Sequence, residues 1–102
     1  MSEWIAVGSA DGAEGELRAV EAGGVYLALA RVGGEWFAFD DDCTHEDCPL
    51  SDGELAGTAV VCGCHGSEFD LRTGDVLAGP ATEPIVVYPV RVVDGELEVE
   101  LG

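Results

Sequence analysis

At 102 residues, 47% of them apolar, the chain is sized for one folded domain and is too apolar to be disordered. Its formal charge is −17, from 21 acids against four arginines and no lysine, which argues against nucleic acid or an anionic membrane as a partner. No apolar run reaches the ~20 residues of a membrane span. Met1-Ser2-Glu3-Trp4 lacks the basic and then apolar pattern of an export signal, so the expectation is a cytoplasmic protein.

In chain order, residues 4–7 read as a first short strand, and Asp11-Gly12 as a turn. A second strand over 17–21 ends at Gly23-Gly24. Residues 25–32 form a clear strand, with Val25, Leu27 and Leu29 at period two. Gly33-Gly34 turns it into a strand over 35–39, and Asp40-Asp41-Asp42 follows. Ser51-Asp52-Gly53 is a turn before a β-branched strand over 58–61. Strands over 68–71 and 75–77 flank the turn Arg72-Thr73-Gly74. Residues 85–93 are β-rich, and Pro89 inside them predicts an edge strand or a bulge. Asp94-Gly95 signals a last hairpin into 96–101. Trp4, Trp36 and Phe39 are read as core side chains. No segment carries a 3.6-residue apolar period, so the fold class is all-β, a small sandwich or barrel.

All four cysteines and both histidines lie between Cys43 and His65. They read Cys43-Thr44-His45 and Cys62-Gly63-Cys64-His65, with sixteen residues between His45 and Cys62. Structural zinc prefers paired cysteines followed by paired histidines, and the mixed order here fits that poorly. Two loops, each supplying one Cys and one His, are what a Rieske 2Fe–2S cluster needs: two thiolates on one iron, two imidazoles on the other. The count gives Cys43 and Cys62 for one iron and His45 and His65 for the other.

The run Cys43-Thr44-His45-Glu46-Asp47-Cys48-Pro49-Leu50, with Cys62-Gly63-Cys64-His65-Gly66-Ser67-Glu68-Phe69-Asp70, resembles the Rieske family. It is most similar to the small Rieske ferredoxins that feed non-haem-iron aromatic-ring oxygenases, and the likeness runs on through Thr73-Gly74 and Gly79-Pro80-Ala81. The resemblance implies one domain over 1–102. Its antiparallel β-sandwich base would span about 1–40 and 82–102, with a small cluster-binding subdomain inserted over about 41–81. It further implies that Gly79-Pro80 forms a third loop over the cluster and that His45 and His65 lie at the exposed tip. Cys48 and Cys64 stand where respiratory Rieske proteins bridge the two loops by a disulfide. Many oxygenase ferredoxins lack the pair, so a bridge and two reduced buried thiols both stay open. Gly63 stands where proline is common, which would loosen the second loop.

The functional expectation is a monomeric one-electron carrier, not an enzyme. It would pass electrons from a flavoprotein NAD(P)H reductase to a terminal Rieske oxygenase. The alternative is a small subunit of a larger redox enzyme, of the assimilatory nitrite reductase or molybdenum oxidase type. Histidine ligation leaves the oxidised cluster less negative than four thiolates would, which raises its potential above that of plant-type ferredoxins. Within the Rieske range the expected potential is low. Ser67 matches a serine that donates a hydrogen bond to the cluster in the respiratory proteins, but Phe69 replaces their tyrosine. Ten acids and only Arg72 lie between Asp40 and Asp75. An exposed carboxylate ~8 Å away, at an effective dielectric of about 60, opposes reduction by roughly 0.5–0.7 kcal/mol, or about 20–30 mV.

Overall fold

The alternating apolar residues of the third predicted strand are realised as β3 (Val25–Val32), the longest strand of a computed structural model that describes residues 3–42, 48–64 and 66–101. Around it lie β1 (Trp4–Ser9), β2 (Leu17–Ala22), β4 (Glu35–Asp40), β5 (Glu54–Ala56) and β6 (Ala59–Val61). The remaining strands are β7 (Glu68–Asp70), β8 (Val76–Ala78), β9 (Val87–Tyr88), β10 (Val90–Val93) and β11 (Glu96–Glu100). A single 3-10 turn, Leu50–Asp52, is the one helical element among the described residues. All strand pairings are antiparallel, in three sheets ordered β1-β11-β10, β2-β3-β4-β9 and β5-β6-β7-β8.

The sheet containing β3 buries both of its faces. Leu27, Leu29 and Ala38 pack with Leu97 and Val99 of the first sheet. One residue out of phase, Ala28, Ala30 and Phe39 pack with Leu50, Val60, Phe69 and Leu71 of the loop region. Period-two geometry sends alternate side chains to opposite faces, so a strand between two layers must be apolar throughout. The small alanines lie on the face where the third sheet approaches. Fully burying one Leu or Phe side chain stabilises the fold by about 1.5–3 kcal/mol, so these two clusters dominate the packing energy.

The hairpin turns follow the glycine signals. Gly33-Gly34 and Asp94-Gly95 each place two consecutive residues at positive φ (63° and 79°; 51° and 79°), as a turn matched to strand twist requires. Pro89 marks more than a bulge. It separates β9, which pairs with β4, from β10, which pairs with β11, so the chain leaves one sheet for another where proline lacks an N–H to continue the ladder. β5 is absent from the sequence expectation, because three residues are too few to show a period.

Phe39 is fully buried, as expected. Trp36 is half-buried and packs against the first core cluster, whereas half-buried Trp4 belongs to neither cluster, which corrects the reading of Trp4 as core. Arginines cover their rings: Arg91 lies 4.2 Å from the Trp4 centroid, and Arg18 and Arg31 lie 4.7 and 5.7 Å from that of Trp36. Arg72 stands 5.5 Å over Phe37 in the same way.

Candidate metal centre

Two segments converge at one end of the second core cluster. The first leaves β4 through Asp40-Asp41-Asp42 and returns at Cys48. The stretch 43–47, with candidate ligands Cys43 and His45, lies outside the described residues, as does His65. The neck of this first loop is closed by polar bonds. The Leu50 N–H donates to the Asp41 carbonyl at 2.6 Å, and Asp42 pairs with Pro49 in an isolated antiparallel bridge. The buried Asp41 carboxylate accepts from the Ser51 N–H at 2.7 Å and from the Ser51 hydroxyl at 2.9 Å. Burial pushes the Asp41 carboxyl pKa up, against the two Ser51 bonds. Nothing in the sequence separates Asp41 from its neighbours Asp40 and Asp42, so this clamp was not foreseen.

The second loop leaves β6 at Cys62, whose free thiol is buried. Its ends are tied by Cys62 N–H donating to the Ser67 carbonyl (2.7 Å) and Gly66 N–H donating to the Cys62 carbonyl (2.9 Å). Gly66 takes the positive φ of 76° that this turn needs. The two loops also press together through backbone. A side chain on Gly53 would put its Cβ 2.0 Å from the Val61 carbonyl oxygen, and one on Gly63 would put it 3.3 Å from that of Asp52. Gly63 is thus a packing position against the first loop.

Cys48 and Cys64 are joined by a disulfide, with Cα atoms 6.6 Å apart. The bridge links the two loops covalently. The Sγ atoms of Cys48, Cys62 and Cys64 all lie within 4.8 Å of one another. Two of these sulfurs are bonded to each other and cannot serve as thiolates, so Cys62 alone of the three is a donor. Ser67 is fully buried, and its hydroxyl oxygen accepts from the Ala81 N–H at 3.0 Å. That bond fixes the exposed Gly79-Pro80 segment, joined by a cis peptide, to the second loop. Phe69 is buried in the same cluster as Cys62 and brings no hydroxyl. A further strut runs from the base, where the Tyr88 hydroxyl donates to Asp40 Oδ1 at 2.6 Å. Burial and that carboxylate push the Tyr88 phenol up to about 12.

The domain description "Rieske [2Fe-2S] domain" matches residues 3–89. The chain belongs to the Rieske [2Fe-2S] family. The ferredoxin subunit of anthranilate 1,2-dioxygenase from Burkholderia cepacia is 41% identical over 103 residues, covering 100% of this chain and 95% of that protein. A ferredoxin of Sphingomonas yanoikuyae B1 superposes with a TM-score of 0.92 at 34% identity, over 98% of this chain and 100% of its own. A solved complex of reduced oxygenase and oxidised ferredoxin in carbazole 1,9a-dioxygenase contains a chain that matches with a TM-score of 0.88 at 39% identity. The match covers 94% of this Rieske chain and 91% of that one.

The cofactor of this Rieske protein is therefore one 2Fe–2S cluster, and its role is electron transfer in place of catalysis of its own. The donor chemistry fits the group. With Cys48 and Cys64 spent on the disulfide, the chain retains two cysteines, Cys43 and Cys62, and two histidines, the set that the cluster requires. No described helix is long and apolar enough to cross a membrane.

Proposed function

We propose that Cys43 and Cys62 hold one iron and His45 and His65 the other, with residues 41–81 as the cluster-binding subdomain on a base of 1–40 and 82–102. The observation that carries this reading is the buried Cys62 thiol, left free beside a disulfide that removes the only competing sulfurs. When bound, the cluster accepts and releases one electron. Around it the chain's own residues hold the loops and exclude water. Asp41 and Ser51 close the first loop, Ser67 anchors the 79–81 segment, and the disulfide ties both loops together. Ser67 receives the Ala81 N–H, so its own proton stays free to donate toward the cluster.

The protein serves as a monomeric cytoplasmic carrier between a flavoprotein reductase and a terminal oxygenase, exchanging electrons at a His45/His65 tip. Similarity to dioxygenase ferredoxin subunits, and to a ferredoxin solved with its oxygenase, supports this reading. Fold alone does not separate a free carrier from a permanent subunit. The test is EPR of the dithionite-reduced protein with iron and zinc analysis on the same sample, followed by reduction of an added oxygenase. A rhombic Rieske signal from a monomer that reduces the oxygenase is expected. One zinc per chain with no signal would overturn the ligand set, and obligate co-purification with a large subunit would overturn the carrier role.

A further inference from the structure

Each of the four arginines is committed to an aromatic ring. Arg91 lies over Trp4, Arg18 and Arg31 over Trp36, and Arg72 over Phe37. These arginines are also bonded within the fold: Arg18 to Glu16, Arg31 to the Ala10 carbonyl and Arg91 to Glu98. Of the other aromatics, Phe39 and Phe69 are fully buried, and Tyr88 is tethered to Asp40. Tyr26 is the exception. It is 65% exposed, the most exposed large apolar side chain among the described residues, and none of the four arginines stands over it.

Tyr26 borders a notch of about 270 Å³ lined by Ala19, Val20, Glu21, Tyr26 and Asp41. Glu21 faces Tyr26 directly across the β2–β3 register. The Asp41 carboxylate is occupied by Ser51, so Glu21 supplies the available carboxylate. Ala19, on the same face as Glu21, gives the notch an apolar side. An aromatic face, a carboxylate beside it and an apolar wall together suit a long cationic side chain, and arginine better than lysine. The methylene stem of arginine lies on apolar surface, its planar guanidinium stacks on a ring, and its N–H fork meets a carboxylate. The position is apt as well. The Tyr26 carbonyl accepts the Asp41 N–H at 3.1 Å, and Asp41 leads into the first ligand loop.

We propose that this notch receives an arginine of the protein redox partner, so that the partner supplies to Tyr26 the cation that the chain gives to Trp4, Trp36 and Phe37. The proposal rests on the carrier reading and adds a docking contact beside the ligand loops. A net charge of −17 brings a basic partner surface to this one, and the notch then selects guanidinium over ammonium.

The test is calorimetric titration of the oxidised holoprotein with hexa-arginine and with hexa-lysine at low ionic strength, for wild type, Tyr26→Leu, Glu21→Gln and the remote control Glu96→Gln. Wild type is expected to prefer hexa-arginine by about threefold. Tyr26→Leu should erase that preference while leaving the absorption and EPR spectra unchanged. Glu21→Gln should weaken arginine binding by about twofold, and more than Glu96→Gln does. Equal affinity for the two peptides, or a preference that survives Tyr26→Leu, would overturn the proposal. Failure of the carrier reading looks different: the protein would co-purify obligately with a large subunit and would not reduce an added oxygenase, whatever the peptides do.

Discussion

The two ends of this molecule are held by different forces. In the base, strands of four to eight residues such as β3, β4, β10 and β11 bury Leu27, Leu29, Leu97 and Val99 completely. In the loop region the four strands are three residues each, and the fixed points are a disulfide, the Asp41–Ser51 clamp and the Ser67–Ala81 bond. Val60 and Phe69 on these short strands are fully buried, but apolar packing is non-directional and does not define a loop to a fraction of an ångström, and ligands must be placed that closely. Cross-links and directed hydrogen bonds supply this precision. The difference teaches that folding and cluster-holding can be broken separately.

The sharpest break is Cys62→Ser. It should abolish the Rieske EPR signal and bring iron content close to zero, while the strand signal in far-ultraviolet circular dichroism persists. Collapse of the strand signal as well would mean that the base depends on the metal. The converse break is Leu97→Ala, a cavity in the base with no atom near the loops. It should cost about 2–5 kcal/mol in denaturant unfolding and leave the EPR line shape unchanged.

Removing the bridge with Cys48→Ala and Cys64→Ala together should cost about 3 kcal/mol, given its sequence separation of 16. That loss should appear as cluster bleaching at a lower temperature, before the strands melt. Ser67→Ala should cost about 1–3 kcal/mol, since it leaves the Ala81 N–H without its acceptor, and it should lower the reduction potential. A change in stability with no change in potential would confine Ser67 to fixing the 79–81 segment.

The smallest effect is expected at Glu14 in the base. Its carboxylate accepts the Gly33 and Gly34 N–H groups at 2.6 and 3.1 Å, which holds its pKa below the ordinary carboxylate value of 4.5. A carboxyl with a lowered folded pKa adds stability above its unfolded value and loses it as pH falls through the folded one. Glu14→Gln should therefore melt earlier than wild type at pH 7, and the two curves should merge in strong acid. A difference that persists there would show the effect to be uncharged.

Much of this was legible in the residues themselves. Period two at Val25, Leu27 and Leu29, the Gly-Gly and Asp-Gly turns and the absence of a helical period determined an all-β fold, because backbone geometry is local. Soft donors confined to 43–65 named the cofactor, because ligand chemistry is a matter of residue type and spacing. Tertiary structure alone decided other points. That Cys48 is bonded to Cys64 depends on two segments meeting through space; the sequence favoured a bridge but kept free thiols as the alternative. That Asp41, of three consecutive aspartates, is the buried clamp depends on where Ser51 arrives. That Pro89 is the crossing point between two sheets, and that Trp4 and Trp36 lie under arginines at the surface, depends on which layers flank them. Local pattern fixes which way a side chain faces; only the packed fold determines what it meets there.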